Sequence, residues 1–142
     1  MIHYLDTSLL VPLHIHEPKS PNVRAWLIGV GAAELAVSEW CITEFASASS
    51  IKTRTGQIDQ AKKDLAQAEF LAFIRFRVKR VILVDSIDFR RAAELCDRWQ
   101  TGLRAGDALH LAIAERHGLT VCTLDRGMWT AAQALGLAIE SL

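Results

Sequence analysis

Short apolar runs alternate along the chain with longer segments in which apolar residues recur at helical spacing. The short runs predict strands at 2–5, 35–37, 81–84, 119–124 and 138–140. The longer segments predict helices at 23–30, 39–53, 57–76, 105–117 and 128–135, with a further helix beginning near residue 86. Alternating strands and helices predict right-handed crossovers and a mainly parallel sheet covered on both faces. We therefore expect residues 1–142 to form a single α/β domain.

Three of these elements have an expected buried side. In the segment 57–76 the spacing gathers one apolar stripe, made of Ile58, Ala61, Leu65, Ala68, Ala72 and Phe76. Asp85 or Ser86 is expected to cap the helix that follows. The expected core face of that helix comprises Phe89, Ala92, Ala93, Cys96 and Trp99. The run 81–84 is expected to be a buried strand.

The composition limits the class of protein and its partners. Apolar residues make up 51% of the chain and charged residues 23%, with a formal net charge of zero, which indicates a compact globular protein. A protein that binds nucleic acid mainly by neutralising phosphates is usually basic, so such binding here requires a local patch or a metal. The cysteines form no Cys-x-x-Cys pair, which argues against a zinc site and favours a reducing compartment. With no predicted signal peptide or membrane-spanning run, we expect a cytoplasmic protein.

Acidic residues stand where strands end and where a helix begins. Asp6 ends the first strand and Asp125 ends the strand 119–124. Because ligands of open α/β sheets bind outside the carboxyl ends of the strands, both positions are candidate ligand positions. Asp107 opens a helix, where a carboxylate also serves as a cap or a partner of the helix dipole. Asp85 also follows a strand, but its place before a helix favours a capping role.

Glu44 is conspicuous because its neighbours on the helix face are apolar or aromatic. An ionised carboxylate in such a stripe is unfavourable unless a cation or a donor compensates it. A metal ion or a salt bridge to an arginine would each do so. Glu39 is the rival acid on this helix, but five residues at about 100° each place it on another face, where it suits the first turn.

Taken together, Asp6, Glu44, Asp107 and Asp125 predict an oxygen-only metal site. Clusters of carboxylates suit hard cations such as Mg²⁺ or Mn²⁺, which keep several waters for substrate and nucleophile. Such a cluster is suited to in-line attack on a phosphodiester.

Basic residues offer two kinds of phosphate contact. Arg104 and Arg126 adjoin the acidic segments and are the preferred candidates for binding substrate phosphate. The run 75–80, RFRVKR, has the basic and aromatic residues that grip RNA, although a solvated helix end is the favoured interpretation. His110 lies one helical turn after Asp107, within reach of the site, although a structural contact is favoured.

Four segments contain the candidate residues, namely 4–8 (YLDTS), 38–45 (SEWCITEF), 103–112 (LRAGDALHLA) and 123–125 (TLD). With these segments the sequence resembles the PIN-domain family, specifically VapC-type toxin ribonucleases of toxin–antitoxin modules. The resemblance covers nearly the whole chain in the family's order, and the segment around Asp107 is its most specific part.

The resemblance implies a three-layer α/β/α sandwich with a short, mainly parallel sheet. It also implies an acidic Mg²⁺ or Mn²⁺ pocket and endoribonuclease activity on structured RNA such as tRNA or rRNA. The family pattern carries its acids onto Asp6, Glu44, Asp107 and Asp125. It carries a supporting hydroxyl onto Thr123, with Ser8 as the second candidate. Some members have a further acid just after the last one; here Arg126 and Gly127 follow, so the number of metal ions stays open.

The resemblance further implies a homodimer that a small VapB-type antitoxin holds inactive. The apolar helices 23–30, 39–53 and 57–76 are the expected docking surface. Trp26, Trp40 and Phe70 are candidate anchors, although for Trp40 a core position is favoured.

Two alternatives belong to other classes. A catalytically silent RNA- or protein-binding module is the second hypothesis, although such a module is expected to have lost at least one acid. The more remote alternative is an aspartyl-nucleophile phosphatase with Asp6 as nucleophile. Those enzymes usually carry a second aspartate two residues later, where this chain has Ser8.

Overall fold

The computed structural model describes residues 1–142 and consists of a five-stranded sheet with helices between the strands. The strands are β1 (Ile2–Leu5), β2 (Glu34–Ser38), β3 (Arg80–Ile82), β4 (Thr120–Thr123) and β5 (Ile139–Ser141). The helices are α1 (Thr7–His14), α2 (Ser20–Val30), α3 (Glu39–Arg54), α4 (Gln60–Phe76), α5 (Ser86–Asp97), α6 (Ala105–Arg116) and α7 (Arg126–Ala134), with a 3-10 turn at Trp99–Thr101. The predicted α/β class is confirmed, and the predicted strands and helices follow in the predicted order, with α1 as an additional helix between β1 and α2.

The sheet is parallel throughout, with strand order β3-β2-β1-β4-β5. The chain winds outward from β1 through β2 to β3, and later returns to the other side of β1 with β4 and β5. The strand order therefore reverses between β1 and β4, and ligands of open parallel sheets bind outside the carboxyl ends of the strands at such a point. The last residue of β1, Leu5, is in register with Cys122, the residue before the end of β4.

The central strands are buried on both faces. Tyr4 and Leu5 of β1 and residues 35–37 of β2 have at most 1% of their surface exposed, as expected of parallel strands covered by helices on both sides. The edge strand β3 is different. Only Ile82 is buried there, while Val81 is 41% exposed. The prediction of a buried strand at 81–84 is therefore wrong, because an edge strand lacks a neighbour on one side.

The core face of α4 is not the stripe expected from the sequence. Leu65 and Phe76 of that stripe are 60% and 79% exposed, whereas Ala66 and Phe70 are buried. Phe70 stacks on Phe45 of α3, with 4.1 Å between the ring centroids. Large rings bury more apolar surface than the alanines of the expected stripe, and this contact sets the rotation of α4.

The core face of α5 also differs from the expected one. Ala92 is buried as expected, but Phe89 and Trp99 are 57% and 78% exposed. Asp88 and Leu95 take the buried positions. Asp85 caps the helix, as one of the two predicted caps, and forms a capping box with Asp88.

None of the helices combines the length and the apolar character that a membrane span requires.

Candidate metal and phosphodiester site

Two of the predicted acids lie side by side at the switch point of the sheet. Asp6 follows β1 directly and Asp125 follows β4 after one residue. Thr123, the last residue of β4, connects them: its hydroxyl donates to Asp6 Oδ2 at 2.7 Å and accepts the backbone N–H of Asp125 at 2.9 Å. The hydroxyl expected from the family resemblance therefore contacts Asp6 directly.

Asp6 is 3% exposed and bonded mainly to hydroxyl groups. The Ser8 hydroxyl donates to Asp6 Oδ1 at 2.5 Å, and the Ser8 backbone N–H donates to the same atom at 3.1 Å. Ser8 in turn accepts the N–H of Leu124 at 2.9 Å. Burial raises the pKa of Asp6, although His110 and these hydroxyls oppose the rise. The carboxylate is therefore rigidly placed but only partly compensated.

Glu44 reaches this edge from α3 and is held by α1 and α6. The Thr7 hydroxyl donates to Glu44 Oε1 at 2.6 Å, and the same oxygen contacts Nε2 of His110. The cation beside Glu44 is therefore a buried histidine, where the sequence suggested a metal or an arginine. Burial alone would raise the pKa of Glu44, but the contacts with His110 and Thr7 outweigh it and lower that pKa.

His110 belongs to a hydrogen-bonded chain that runs into the core. Its Nδ1 lies 2.7 Å from the Tyr4 hydroxyl, which lies 2.8 Å from the Ser38 hydroxyl. Burial lowers the pKa of His110, but contacts with the Cys41 thiol and the Glu44 carboxylate outweigh burial and raise it to about 10. The sequence placed His110 near the site, because it lies one helical turn after Asp107, but it did not predict the contact with Glu44. Tyr4, Thr7 and Ser38 lie in the segments that carry the family resemblance, but the sequence gave no indication of these contacts.

Asp107 lies in the first turn of α6, where Gly106 allows a close approach to α3. A Cβ atom on Gly106 would lie 3.2 Å from Glu44 Oε2 and 3.7 Å from the Trp40 ring, so a larger residue would require the Glu44 carboxylate to move by a few tenths of an ångström. Burial and the charges of Asp125, Asp6 and Glu44 raise the pKa of Asp107 to about 6. The acids of the two strand ends and the two helices therefore act on one another electrostatically.

The chemistry of this donor set fits a hard divalent cation. None of the four acids pairs with a lysine or an arginine, and His110 is their one cationic contact. No three of their ligand atoms lie within 4.8 Å of one another. The fit to Mg²⁺ or Mn²⁺ rests on the oxygen donors, since these ions are bound through one or two carboxylates and retain several waters. The residues that would hold the ion are Asp6, Glu44, Asp107 and Asp125.

The two candidate phosphate-binding arginines flank this edge. Arg104 is the N-cap residue of α6 and Arg126 is the first residue of α7. Both are exposed and form no ion pair within the chain. Within the basic run 75–80, Arg77 instead donates to the carbonyl oxygens of Gly31 and Ala33. That residue ties the end of α4 to the start of β2.

Comparison with known proteins agrees with this architecture. The family model described as PIN domain matches residues 3–133. The chain belongs to the PIN-domain family. A search of curated protein sequences finds no significant match.

Solved structures show the same fold at low sequence identity. FitAcB from Neisseria gonorrhoeae is 22% identical, with a TM-score of 0.69, over 98% of this chain and 96% of that chain. VapBC2 from Rickettsia felis, bound to a DNA fragment from its promoter, is 20% identical with a TM-score of 0.69, over 99% and 98%. VapC20 from Mycobacterium tuberculosis, described as a toxin that cleaves the Sarcin-Ricin loop, is 15% identical with a TM-score of 0.69, over 96% of each chain.

The structure also locates the proposed docking anchors. Phe70 is 3% exposed and belongs to the core, so its assignment as an anchor is wrong. Its ring is covered by Phe45. Trp26 and Trp40 are half-buried and pack against the core, as favoured for Trp40.

Proposed function

We propose that the protein is a metal-dependent endoribonuclease that acts as the toxin of a toxin–antitoxin pair. The observation that carries the proposal is the gathering of four carboxylates with one cationic contact at the switch point of a PIN-domain sheet. PIN-domain toxins are generally nucleases that use a divalent metal. Structured RNA, such as tRNA or rRNA, is the proposed substrate class, and VapC20 offers the parallel.

In this proposal each residue has a defined task. Asp6, fixed by Thr123 and Ser8, and Glu44, fixed by Thr7 and His110, hold the cation together with Asp107 and Asp125. When bound, Mg²⁺ or Mn²⁺ would supply an activated water and stabilise the leaving oxygen. Arg104 and Arg126 bind the substrate phosphate from the rim of the site.

The test is cleavage of total cellular RNA by the purified, antitoxin-free protein with Mg²⁺ or Mn²⁺. Wild type should produce discrete fragments whose ends identify the target. Asp6→Ala and Asp107→Ala should reduce cleavage by about 10²–10³-fold or more, as does loss of a group that stabilises transition-state charge. Asp97→Asn, an exposed acid at the end of α5, is the matched control and should cleave like wild type. Binding of RNA without cleavage under every metal condition would instead favour the silent binding module.

The same proposal includes an antitoxin and a homodimer. The surface of α2 and α4 exposes large apolar residues, including Ile28 at 80%, Leu71 at 58% and Phe76 at 79%. Such residues mark a protein interaction surface when they are contiguous, and the similar structures include toxin–antitoxin complexes. Leu71→Ser with Phe76→Ser should weaken binding of a co-expressed VapB-type partner. Light scattering of the free protein tests the dimer.

A further inference from the structure

A second group of metal-ligating side chains lies away from the four acids. His3, Cys122 and Glu140 come from β1, β4 and β5, three adjacent strands. Nδ1 of His3 lies 3.4 Å from Sγ of Cys122 and 3.7 Å from Oε2 of Glu140. Sγ of Cys122 lies 3.7 Å from the same Glu140 oxygen. The three donor atoms thus form a nearly equilateral triangle.

The sheet register brings these residues together on one face. Cys122 is paired with Glu140 across β4 and β5, and His3 with Thr120 across β1 and β4. Successive side chains of a strand point to opposite faces. Because the next residue, Thr123, donates to Asp6, Cys122 lies on the face opposite to that hydroxyl. The triangle is therefore separate from the four-carboxylate site.

The spacing of the triangle fits a tetrahedral ion as well as the two hydrogen bonds of the Cys122 thiol, with His3 Nδ1 and Glu140 Oε2. A zinc ion with bonds of about 2.3 Å to sulfur and about 2.0–2.1 Å to nitrogen or oxygen separates its ligand atoms by about 3.3–3.6 Å. The distances here, 3.4 to 3.7 Å, are close to that range. By contrast, the His3–Glu140 separation of 3.7 Å exceeds the 2.7–3.2 Å that is typical of an N–H···O hydrogen bond.

We propose that His3, Cys122 and Glu140 form a site for a zinc-class divalent cation. Imidazole nitrogen, thiolate sulfur and carboxylate oxygen are all ligands of Zn²⁺, whereas Mg²⁺ prefers oxygen alone. Three protein ligands leave the fourth tetrahedral position for water or an external ligand. The side chain of Glu140 is 43% exposed while that of His3 is 11% exposed, so the ion enters from the Glu140 side.

Binding requires that the thiol lose its proton. In the metal-free protein the S–H of Cys122 donates to Oε2 of Glu140, with 3.7 Å between sulfur and oxygen. A bound cation displaces that proton to solvent and leaves a thiolate as ligand. This thiolate provides a spectroscopic signature that the four-carboxylate site, which has no sulfur, does not share.

Trp26 of α2 provides an independent reporter. Its ring meets the His3 ring edge to face, with 5.5 Å between centroids. A cation bound at Nδ1 of His3 therefore lies next to this indole and should change its fluorescence. Comparison of wild type with Trp26→Phe separates the fluorescence of Trp26 from that of the other tryptophans.

The experiment is a Co²⁺ titration of the full chain, followed by near-ultraviolet absorption and tryptophan fluorescence. Wild type should show thiolate-to-cobalt charge transfer that saturates at one ion per chain and disappears when Zn²⁺ is added. Cys122→Ser should abolish the band, and Cys96→Ser, the matched control on α5, should retain it. Glu140→Gln should keep the band and weaken Co²⁺ binding by about 10–100-fold. Loss of a residue that only supports a metal ligand already has an effect of this size.

Three results would overturn the site. They are the absence of the band in wild type at saturating Co²⁺, its persistence in Cys122→Ser, and a fluorescence response of wild type that is unchanged in Cys122→Ser. Should Cys122→Ser not fold, Glu140→Gln decides the question, because its side chain is partly exposed and an unchanged affinity would exclude the carboxylate as a ligand. None of these outcomes depends on ribonuclease activity.

Discussion

Two regions of the molecule keep carboxylates out of solvent in opposite ways. Asp88 of α5 has a 1% exposed side chain and a complete set of partners: it accepts from Arg116 at 2.6 and 2.7 Å and from the N–H of Asp85 at 2.8 Å. Burial would raise the pKa of Asp88, but these contacts outweigh it and lower that pKa. At the switch point of the sheet, Asp6 has hydroxyl and amide partners only, and its pKa is raised.

The difference separates an acid that is neutralised within the fold from one that we propose as a metal ligand. Asp88 is ionised because the fold itself supplies an arginine, and its charge holds α5 against α6. At the switch point, burial and repulsion by Asp125, Asp6 and Glu44 raise the pKa of Asp107 to about 6. A repulsive cluster is unfavourable for the folded state alone. A cation from solution relieves it, which is the physical basis of the proposed metal site.

The largest expected effect on stability comes from breaking the ion pair between Asp88 and Arg116. Asp88→Asn should lower the free energy of unfolding by about 3 kcal/mol, because it leaves Arg116 without its buried partner. Urea denaturation measures the loss. Glu94→Gln, which removes an exposed partner of Arg91, is the matched control and should change stability by less than about 1 kcal/mol. Equal effects of the two substitutions would refute the structural role of Asp88.

Adding Mg²⁺ should have nearly as large an effect on the four acids at the switch point. At about 100 times its Kd, Mg²⁺ should stabilise the folded protein by about 2.7 kcal/mol and raise Tm accordingly. Asp6→Asn should reduce this increase in Tm. Asp88→Asn should show the full increase, starting from a lower Tm without metal. Differential scanning calorimetry at matched ionic strength makes the measurement. An unchanged increase in Asp6→Asn would contradict the assignment of Asp6 as a ligand.

Thr123 tests how much the hydroxyl framework contributes to metal binding. Thr123→Val keeps the shape but removes the donor to Asp6 and the acceptor for the N–H of Asp125. We expect Mg²⁺ affinity, measured by calorimetric titration, to fall by about tenfold. Thr120→Val on the same strand is the matched control, since it lies at the other end of β4. Similar affinity in both variants would show that Thr123 does not position Asp6.

The same contrast applies to buried histidines and gives the smallest effect. His14 lies among Phe45, Phe70 and Phe73, its Nε2 has no partner, and burial lowers its pKa to about 4. Because the unfolded chain binds a proton near pH 6.5, this contribution to stability is complete above pH 6.5 and is lost as pH falls towards 4. The loss should be about 1 kcal/mol between pH 6.5 and 5.5.

The effect of His14 is read as the difference between wild type and His14→Leu. Urea denaturation across this pH range should show a shallower loss of stability in the variant. Asp107 also titrates in the window, but in the opposite direction, because its pKa is raised; it contributes equally to both proteins and cancels. Identical pH profiles would show that His14 is accessible to protons in the folded state.

Local sequence pattern was sufficient for the elements and for where the acids fall on them. An apolar run that ends in aspartate predicts a strand and the position where it ends, without information on the adjacent strands. Asp6 and Asp125 follow the ends of β1 and β4 in this way. Parallel packing then carries the two to one edge, as expected. The capping of α5 by Asp85 was within reach for the same reason, since a cap depends on residues a few positions away.

Only the tertiary structure decided which of two similar faces a helix buries and which distant residues meet. The apolar stripes of α4 are alike in sequence, and the rings of Phe45 and His14, contributed by other helices, select the one that contains Phe70. The chain that connects Glu44 to Tyr4 through His110 and the triangle of His3, Cys122 and Glu140 each join residues far apart in the sequence. The absence of a Cys-x-x-Cys pair argued against a thiolate metal site. Such a motif reports only ligands that come from one loop, so it could not indicate a group of side chains from three parallel strands. Sequence determined the elements and their polarity, and packing determined the contacts.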